Sequence, residues 1–281
     1  MKTVSELETI AAQVRRDIIR MVSGAKSGHP GGALGCADFM TALFFEIMET
    51  SPESFSATGA GDDMFFLSNG HLSALLYSVM ARRGFFPIDE LATFRQIGSR
   101  LQGHPTPTHG LPGLRIASGS LGQGLSVAIG AALAKKSDND DKLVFVLTGD
   151  GELQEGQNWE ALMFAPAKNV DNLIVVVDYN KKQIDGPTDN VLSLGDLNAK
   201  MAAFGWQVME MNGNNMGEVV TTLGKAKTAA HNGKPIMVLM HTEMGMGVDF
   251  MMGTHKWHGT PPNAEQTEKA LAQLPATLGD Y

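Results

Sequence analysis

Two apolar runs and the polar residues that close them decide the fold. Leu143-Val144-Phe145-Val146-Leu147 is followed by Gly149-Asp150-Gly151, and Leu173-Ile174-Val175-Val176-Val177 is followed by Asp178-Tyr179-Asn180. Neither run alternates apolar with polar residues, so each reads as a strand buried on both faces. Between them, residues from Gln157 to Lys168 read as a helix. The right-handed crossover rule then places the two strands parallel, with both C-terminal ends on one edge of the sheet. Ligands of open α/β sheets bind at that edge. Asp150 and Asn180 sit just past the strand ends, where they can face each other across a crevice. A carboxylate, an amide oxygen and a nearby backbone carbonyl are hard oxygen ligands suited to Mg²⁺ or Ca²⁺, leaving coordination positions for phosphate oxygens. Gly149 and Gly151 let the backbone approach a ligand closely. The helix that follows can also aim its N-terminus at an anion. Gly-Asp-Gly is a common turn, so this pair of strand ends is suggestive by itself and not decisive.

Outward from this unit the alternation of strand and helix continues. Ser5-Glu6-Leu7-Glu8 reads as a capping box opening a helix whose face carries Leu7, Ile10, Ala11, Val14, Ile18 and Met21, ending near Gly24. A glycine-rich loop over Ser27–Gly32 precedes a helix from about Ala37 to Met48. Residues 51–62 read as a surface loop, Met64–Leu67 as a strand, Ser68–His71 as a turn and Leu72–Arg82 as a helix. From Ile97 to Ser120 there is little periodicity but many Gly, Pro and His residues, and a loop of that length inside a compact domain usually has a function. A small-residue helix to about Lys136 follows Gly119–Gly124. Later elements are a strand near Trp206–Met209, a helix near Met216–His231, a strand at Pro235–His241 and a terminal helix near Asn263–Leu274. The expected architecture is α/β, a three-layer fold with a mostly parallel sheet covered by helices on both faces. Residues 1–281 read as a single domain, with 263–281 as a C-terminal helix and tail.

Composition narrows the classes of function. The 281 residues are 43% hydrophobic and 19% charged, which gives enough apolar surface for a packed core and excludes disorder as the main state. A net charge of −8 argues against nucleic-acid and anionic-membrane partners, which select basic patches. An acidic chain can still hold an anion through a metal ion or a helix N-terminus. Cys36 is the single cysteine, so no intrachain disulfide forms. The N-terminus lacks a secretory pattern and no run is long and apolar enough to span a membrane, so the expected location is cytoplasmic. The 17 methionines read as core filler.

The segment Gly149-Asp150-Gly151-Glu152-Leu153-Gln154-Glu155-Gly156, continued to Asp178-Tyr179-Asn180, resembles the thiamine diphosphate motif of transketolases. Ser27-Gly28-His29-Pro30-Gly31, Leu67-Ser68-Asn69-Gly70-His71 and Gly103-His104-Pro105 resemble the family's three histidine loops. Gly119-Ser120-Leu121-Gly122-Gln123-Gly124 is similar to the loop that meets the cofactor's aminopyrimidine, and Trp257-His258-Gly259 to the family's last histidine motif. These motifs follow the family order and span nearly the whole chain.

The resemblance implies roles at matching positions. Asp150, Asn180 and the backbone oxygen of Lys182 would hold Mg²⁺ or Ca²⁺. Gly151, His71 and His258 would contact the diphosphate beside Gly149, and Ile184 would pack on the cofactor. Gly119 and Leu121 would serve the aminopyrimidine side through backbone groups, and Glu155 would help link paired cofactor sites. His29, His104 and His258 would line the substrate channel and move protons at sugar hydroxyls, a task suited to groups titrating near neutrality. His109, His231, His241 and His255 read as ordinary surface or core histidines.

Two departures qualify the match. Only one Asn closes the second strand, where many relatives of this cofactor class carry two. The chain is also about half the length of a single-chain transketolase, without the pyrimidine-binding and C-terminal domains and the glutamate that activates the aminopyrimidine. The resemblance therefore implies the N-terminal subunit of a split transketolase. Such an enzyme would transfer a two-carbon ketol (glycolaldehyde) unit between sugar phosphates, for example in the pentose phosphate route. It would act with a C-terminal partner subunit, forming an α2β2 heterotetramer. Two other readings are a subunit of a different two-subunit thiamine diphosphate enzyme, such as a 2-oxoacid dehydrogenase, and a non-catalytic cofactor-binding protein. The transketolase-like Leu67–His71 and Gly119–Gly124 loops weigh against the former, and the full set of histidine loops against the latter.

Overall fold

The computed structural model describes residues 2–281. In it the two apolar runs form adjacent parallel strands, β2 (Val144–Gly149) and β3 (Leu173–Asp178), at the centre of a five-stranded sheet. β1 (Met64–Leu67) pairs with the far side of β2. Two short strands, β4 (Lys182–Gln183) and β5 (Gly186–Pro187), form a separate antiparallel hairpin just past β3. β6 (Gln207–Asn212) and β7 (Ile236–His241) complete the main sheet, whose order is β1-β2-β3-β7-β6 with every neighbouring pair parallel.

Successive side chains of these strands enter two different cores. Phe145 and Leu147 of β2 and Ile174 and Val176 of β3 pack on one face, and Val144, Val146, Val175 and Val177 pack on the other. All eight have no exposed surface, and burying each contributes roughly 1.5–3 kcal/mol. The first face is covered by α1 (Val4–Ala25), α2 (Pro30–Gly35), α3 (Ala37–Ala42), α4 (Ser73–Arg83) and α9 (Met216–Ala229). The second is covered by α5 (Gln123–Ser137), α6 (Gly156–Ala167) and α8 (Leu197–Phe204), with the short α7 (Thr188–Leu192) after the hairpin. This is the expected three-layer α/β fold with a parallel sheet between helical layers.

Several local expectations shift. The capping box of α1 is Thr3 with Glu6, not Ser5 with Glu8. Both pairs have the right spacing, and the earlier one adds half a turn of helix. The glycine-rich stretch 27–32 is a loop only as far as His29, because Pro30 supplies a preset φ at the first position of α2. The helix expected over 37–48 is α3 followed by a π turn, Leu43–Ile47. α8 and the hairpin lie in 181–205, where the sequence pattern predicts no element. At the other end, α10 (Ala264–Gln273) leads into a tail that returns along α1, where Asp280 pairs with Arg16 at 2.7 Å. No helix among the described residues is long and apolar enough to cross a membrane.

Candidate cofactor site

The C-terminal edge of the sheet carries the functional residues. β2 and β3 end level with each other, Gly149 opposite Asp178, so the two closing segments emerge side by side. The Asp150 amide donates to the Asp178 carbonyl at 3.2 Å, which ties the two segments together just past the strands. A cavity of ≈ 250 Å³ opens there. Of the residues expected at the site, Gly149, Asp150, Gly151, Glu155, Asn180, Lys182 and Ile184 line it, as do Leu121, His71 and His258. His29, His104 and Gly119 do not line this cavity; they lie beside it.

The residues expected to hold a metal are themselves held largely by backbone groups. Asp150 is buried, and its two carboxylate oxygens accept from the Gly151 amide (2.7 Å) and the Lys181 amide (2.5 Å). Asn180 accepts on Oδ1 from the Lys182 amide (2.8 Å) and donates from Nδ2 to Asp178 (2.8 Å). Asp178 also accepts from Thr242 Oγ1, which locks the orientation of the Asn180 amide. An ionised carboxylate oxygen or an amide oxygen has two lone pairs, so each keeps one for an ion. Burial, and then the neighbouring Asp178 charge, push the Asp150 carboxyl up to about 8. Burial also raises Asp178. Two buried acids side by side, with Lys182 as the nearby cation, fit a site that a divalent ion could complete. Among the described residues no three His, Cys, Asp or Glu side chains converge on a metal position. The donor set here is instead one carboxylate, one amide oxygen and the Lys182 segment.

The cradle fits a bound group as well. Asn69 Oδ1, His29 Nδ1 and His258 Nδ1 are buried without a hydrogen-bond partner. Leaving such atoms unpaired is costly, so a polar ligand is the expected partner. Gly151 is required by the protein itself, because a Cβ there would lie 2.8 Å from Cβ of Gln183. A 3-10 turn, Glu152–Gln154, intervenes before α6, so the α-helix proper begins only at Gly156.

The histidines gather from four separate loops. His71 and His258 have ring centroids 5.0 Å apart, His29 lies 5.1 Å from His71 and 5.9 Å from His258, and His104 lies 6.3 Å from His29. Gly119 adopts φ +123° with His104 directly above it, where a Cβ would lie 2.7 Å from the ring. All four histidines are shifted below the ordinary histidine value. Burial, then the charges of His258, Arg95 and His104, lower His29 to about 4. Burial and the other three histidines place His71 well below its usual value. His104 is lowered by burial and Arg95, and His258 by burial. The cluster is therefore neutral at pH 7, offering imidazole acceptors and donors in place of cations.

Arg95 carries no signal in the sequence, although it donates to Ser27 Oγ (2.8 Å) and the Gly103 carbonyl (3.1 Å), bridging two of the histidine loops. Asn69, Glu152, Gln154 and Asp178 also line the cavity unforeseen. Asn69 and Glu152 sit inside quoted motifs, but nothing in the sequence says their side chains turn inward. His231 and His241 are surface residues, bonded to the Asp141 carbonyl and to Glu210.

A crevice at the C-terminal edge of a parallel sheet, with oxygen-bearing side chains on one wall and histidines on the other, is the arrangement of a cofactor-binding α/β domain. Over residues 7–277 the sequence matches the family described as transketolase, thiamine diphosphate binding domain, and the chain belongs to it. It is 39% identical over 271 residues to an apulose-4-phosphate transketolase subunit of Phocaeicola vulgatus, covering 96% of this chain and 94% of that one. It is 37% identical over 269 residues to a 6-deoxy-6-sulfo-D-fructose transketolase subunit of a Clostridium species, covering 96% of both. The solved transketolase of Campylobacter jejuni superposes with a TM-score of 0.88 at 33% identity, over 100% of this chain. This chain covers 44% of that structure, and 42% of the human transketolase.

The geometry gives a direct test of the metal wall. Asp150→Ala is expected to weaken metal-dependent thiamine diphosphate binding about 100-fold or more, with the circular dichroism spectrum unchanged. Calorimetric titration of the cofactor across a Mg²⁺ series checks this, and superimposable curves for both proteins would remove Asp150 from the site.

Proposed function

We propose that this chain is the diphosphate-binding subunit of a two-subunit transketolase, which moves a two-carbon ketol unit from a ketose phosphate to an aldose phosphate. The observation that carries this reading is the joining, at one cavity, of the Asp150–Asn180–Lys182 wall to a histidine cluster drawn from four loops. A phosphate site alone has no use for four neutral imidazoles.

In this reading Asp150, Asn180 and the Lys182 carbonyl hold Mg²⁺ or Ca²⁺, and Gly151, His71 and His258 receive the diphosphate. Thiamine diphosphate supplies, when bound, a nucleophilic carbon for the ketose carbonyl and a sink for the electrons of the broken carbon–carbon bond. The protein's part is to bind, orient and shuttle protons. His29, His104 and His258 take or return protons at the sugar hydroxyls, and their neutral state at pH 7 equips them to accept first. Gly119 and Leu121 present backbone groups to the aminopyrimidine side. Ile184 packs on the cofactor, and Glu155 at the rim links paired sites.

The partner is a C-terminal subunit carrying the pyrimidine-binding and C-terminal domains, in a two-plus-two assembly in the cytoplasm. The names of the relatives, apulose-4-phosphate and 6-deoxy-6-sulfo-D-fructose transketolase subunits, support a ketose donor that carries an anionic group. They favour a specialised sugar route over the pentose phosphate route.

The deciding experiment offers ketose phosphates with aldose acceptors, and separately 2-oxo acids, to the chain together with its complementary subunit, thiamine diphosphate and Mg²⁺. The expected products are an aldose two carbons shorter than the donor and a ketose two carbons longer than the acceptor. Decarboxylation of a 2-oxo acid instead would reassign the chain to the 2-oxoacid enzymes. Cofactor binding without turnover of either class would make it a binding protein.

A further inference from the structure

Glu152 is a buried carboxylate with no place in the metal set, yet it reaches three loops of the site at once. Its Oε1 accepts from the Ser68 hydroxyl and from the Gly122 amide (2.8 Å), and its Oε2 accepts from the Gly149 amide (3.1 Å). Ser68 follows β1 and leads into Asn69 and His71. Gly122 follows Leu121 at the entrance to α5, and Gly149 ends β2 just before Asp150. The Glu152 backbone is itself fixed, because Asn158 of α6 donates from Nδ2 to its carbonyl at 2.7 Å.

The packing around it leaves no slack. A Cβ on Gly124 would lie 2.4 Å from Ser68 Oγ, and one on Gly70 would lie 2.6 Å from the Gly119 amide nitrogen. A shift of any one loop is therefore passed to the others. Three donors occupy three of the four lone-pair positions of the carboxyl group.

We infer that Glu152 is a positioning residue that sets the spacing between the histidine loop 68–71, the loop 119–122 and the metal loop 149–151, registering the diphosphate end of the site to its ring end. This rests on the cofactor reading proposed above. Glu152 also lines the cavity, and the role inferred for it is the spacing of the three loops.

The test uses the full chain with its partner present and the substitution Glu152→Gln, which keeps the shape but replaces one acceptor by an NH₂ group. The Ser68 hydroxyl can rotate to accommodate a donor; the Gly122 and Gly149 amides cannot. The expected result is thiamine diphosphate affinity lowered about tenfold to a hundredfold, the scale for lost hydrogen bonds to a charged group. Amide hydrogen exchange should rise together in 68–71, 119–122 and 147–151, and stay unchanged in 173–177 and 236–240 of the sheet. Wild-type affinity in Glu152→Gln, or faster exchange spread evenly over the sheet, would overturn the inference.

Ser68→Ala keeps both backbone bonds and gives an independent reading if the Gln variant does not fold. Its loosening should reach 119–122 and 147–151 through the carboxylate; loosening confined to 68–71 would show that Glu152 is not the link. Absence of cofactor binding by the wild-type assembly would instead refute the proposed function, whereas the exchange pattern tests the spacing role separately.

Discussion

Assayed alone, the chain is expected to turn over a ketose phosphate at least about 10²- to 10⁴-fold more slowly than when mixed with its complementary subunit, the range spanned by loss of one general acid–base group. The acids at the cavity show why. Asp150 is held by two amides, Glu152 by three donors, and Asp178 by Thr242 and Asn180. Glu155 is unengaged but stands exposed at the rim, so the cavity holds no buried, unengaged acid to activate the ring end of a cofactor. The apolar contacts point the same way. Leu121 and Ile184 face the cavity yet are 36% and 61% exposed, so the apolar part of the cavity wall stays open to water in this chain alone. Excluding water strengthens every electrostatic contact in a site and protects reactive intermediates. A second surface is needed to close it. The readout is product formation against added partner at fixed cofactor, which should rise and saturate at one partner per chain. Robust turnover by the purified chain, unchanged on adding the partner, would sink the split-enzyme reading.

The fold was legible because its central strands are continuous apolar runs, which parallel burial on both faces demands and which few other settings tolerate. Asp150 and Asn180 were legible for a related reason, since a polar residue directly after a buried strand emerges at a known edge. Segment 181–205 was not legible. Its hairpin has two residues per strand and α8 has eight, too short for periodicity to show. The first turn of α1 was misplaced because two overlapping Ser/Thr-x-x-Glu pairs compete, and sequence spacing does not rank them. Within the site, the sequence showed which loops carry histidines but not how those loops are held. Arg95 lies in residues 83–96, to which the sequence pattern assigns no element, and its importance comes from reaching Ser27 and Gly103 across the fold. The electrostatic state of the cluster was hidden for the same reason. A lone histidine titrates near neutrality, whereas four imidazoles brought together beside a guanidinium, three of them largely buried, are all shifted downward.

His104→Ala is expected to lower kcat about 10²- to 10⁴-fold while leaving thiamine diphosphate affinity within about threefold of wild type, the pattern for loss of a proton-transfer group. Its place in the cluster gives this split. His71 and His258 line the cavity, His29 lies behind them, and His104 is outermost, in contact with Gly119 and outside the lining. His71→Ala should show the reverse, with cofactor binding weakened first. Steady-state kinetics alongside cofactor titration separates the two, and a His104→Ala enzyme that loses affinity but not kcat would move this residue into the cofactor shell. The pH profile tests the cause of its neutrality. Removing the Arg95 cation takes away an influence that lowers both His104 and His29, so their pKa values rise and protonation sets in at higher pH. Arg95→Met should therefore move the acid limb of kcat/KM upward, with activity lost at a pH where wild type still works. A limb that stays in place would show that the Arg95 cation does not set the charge state of these histidines.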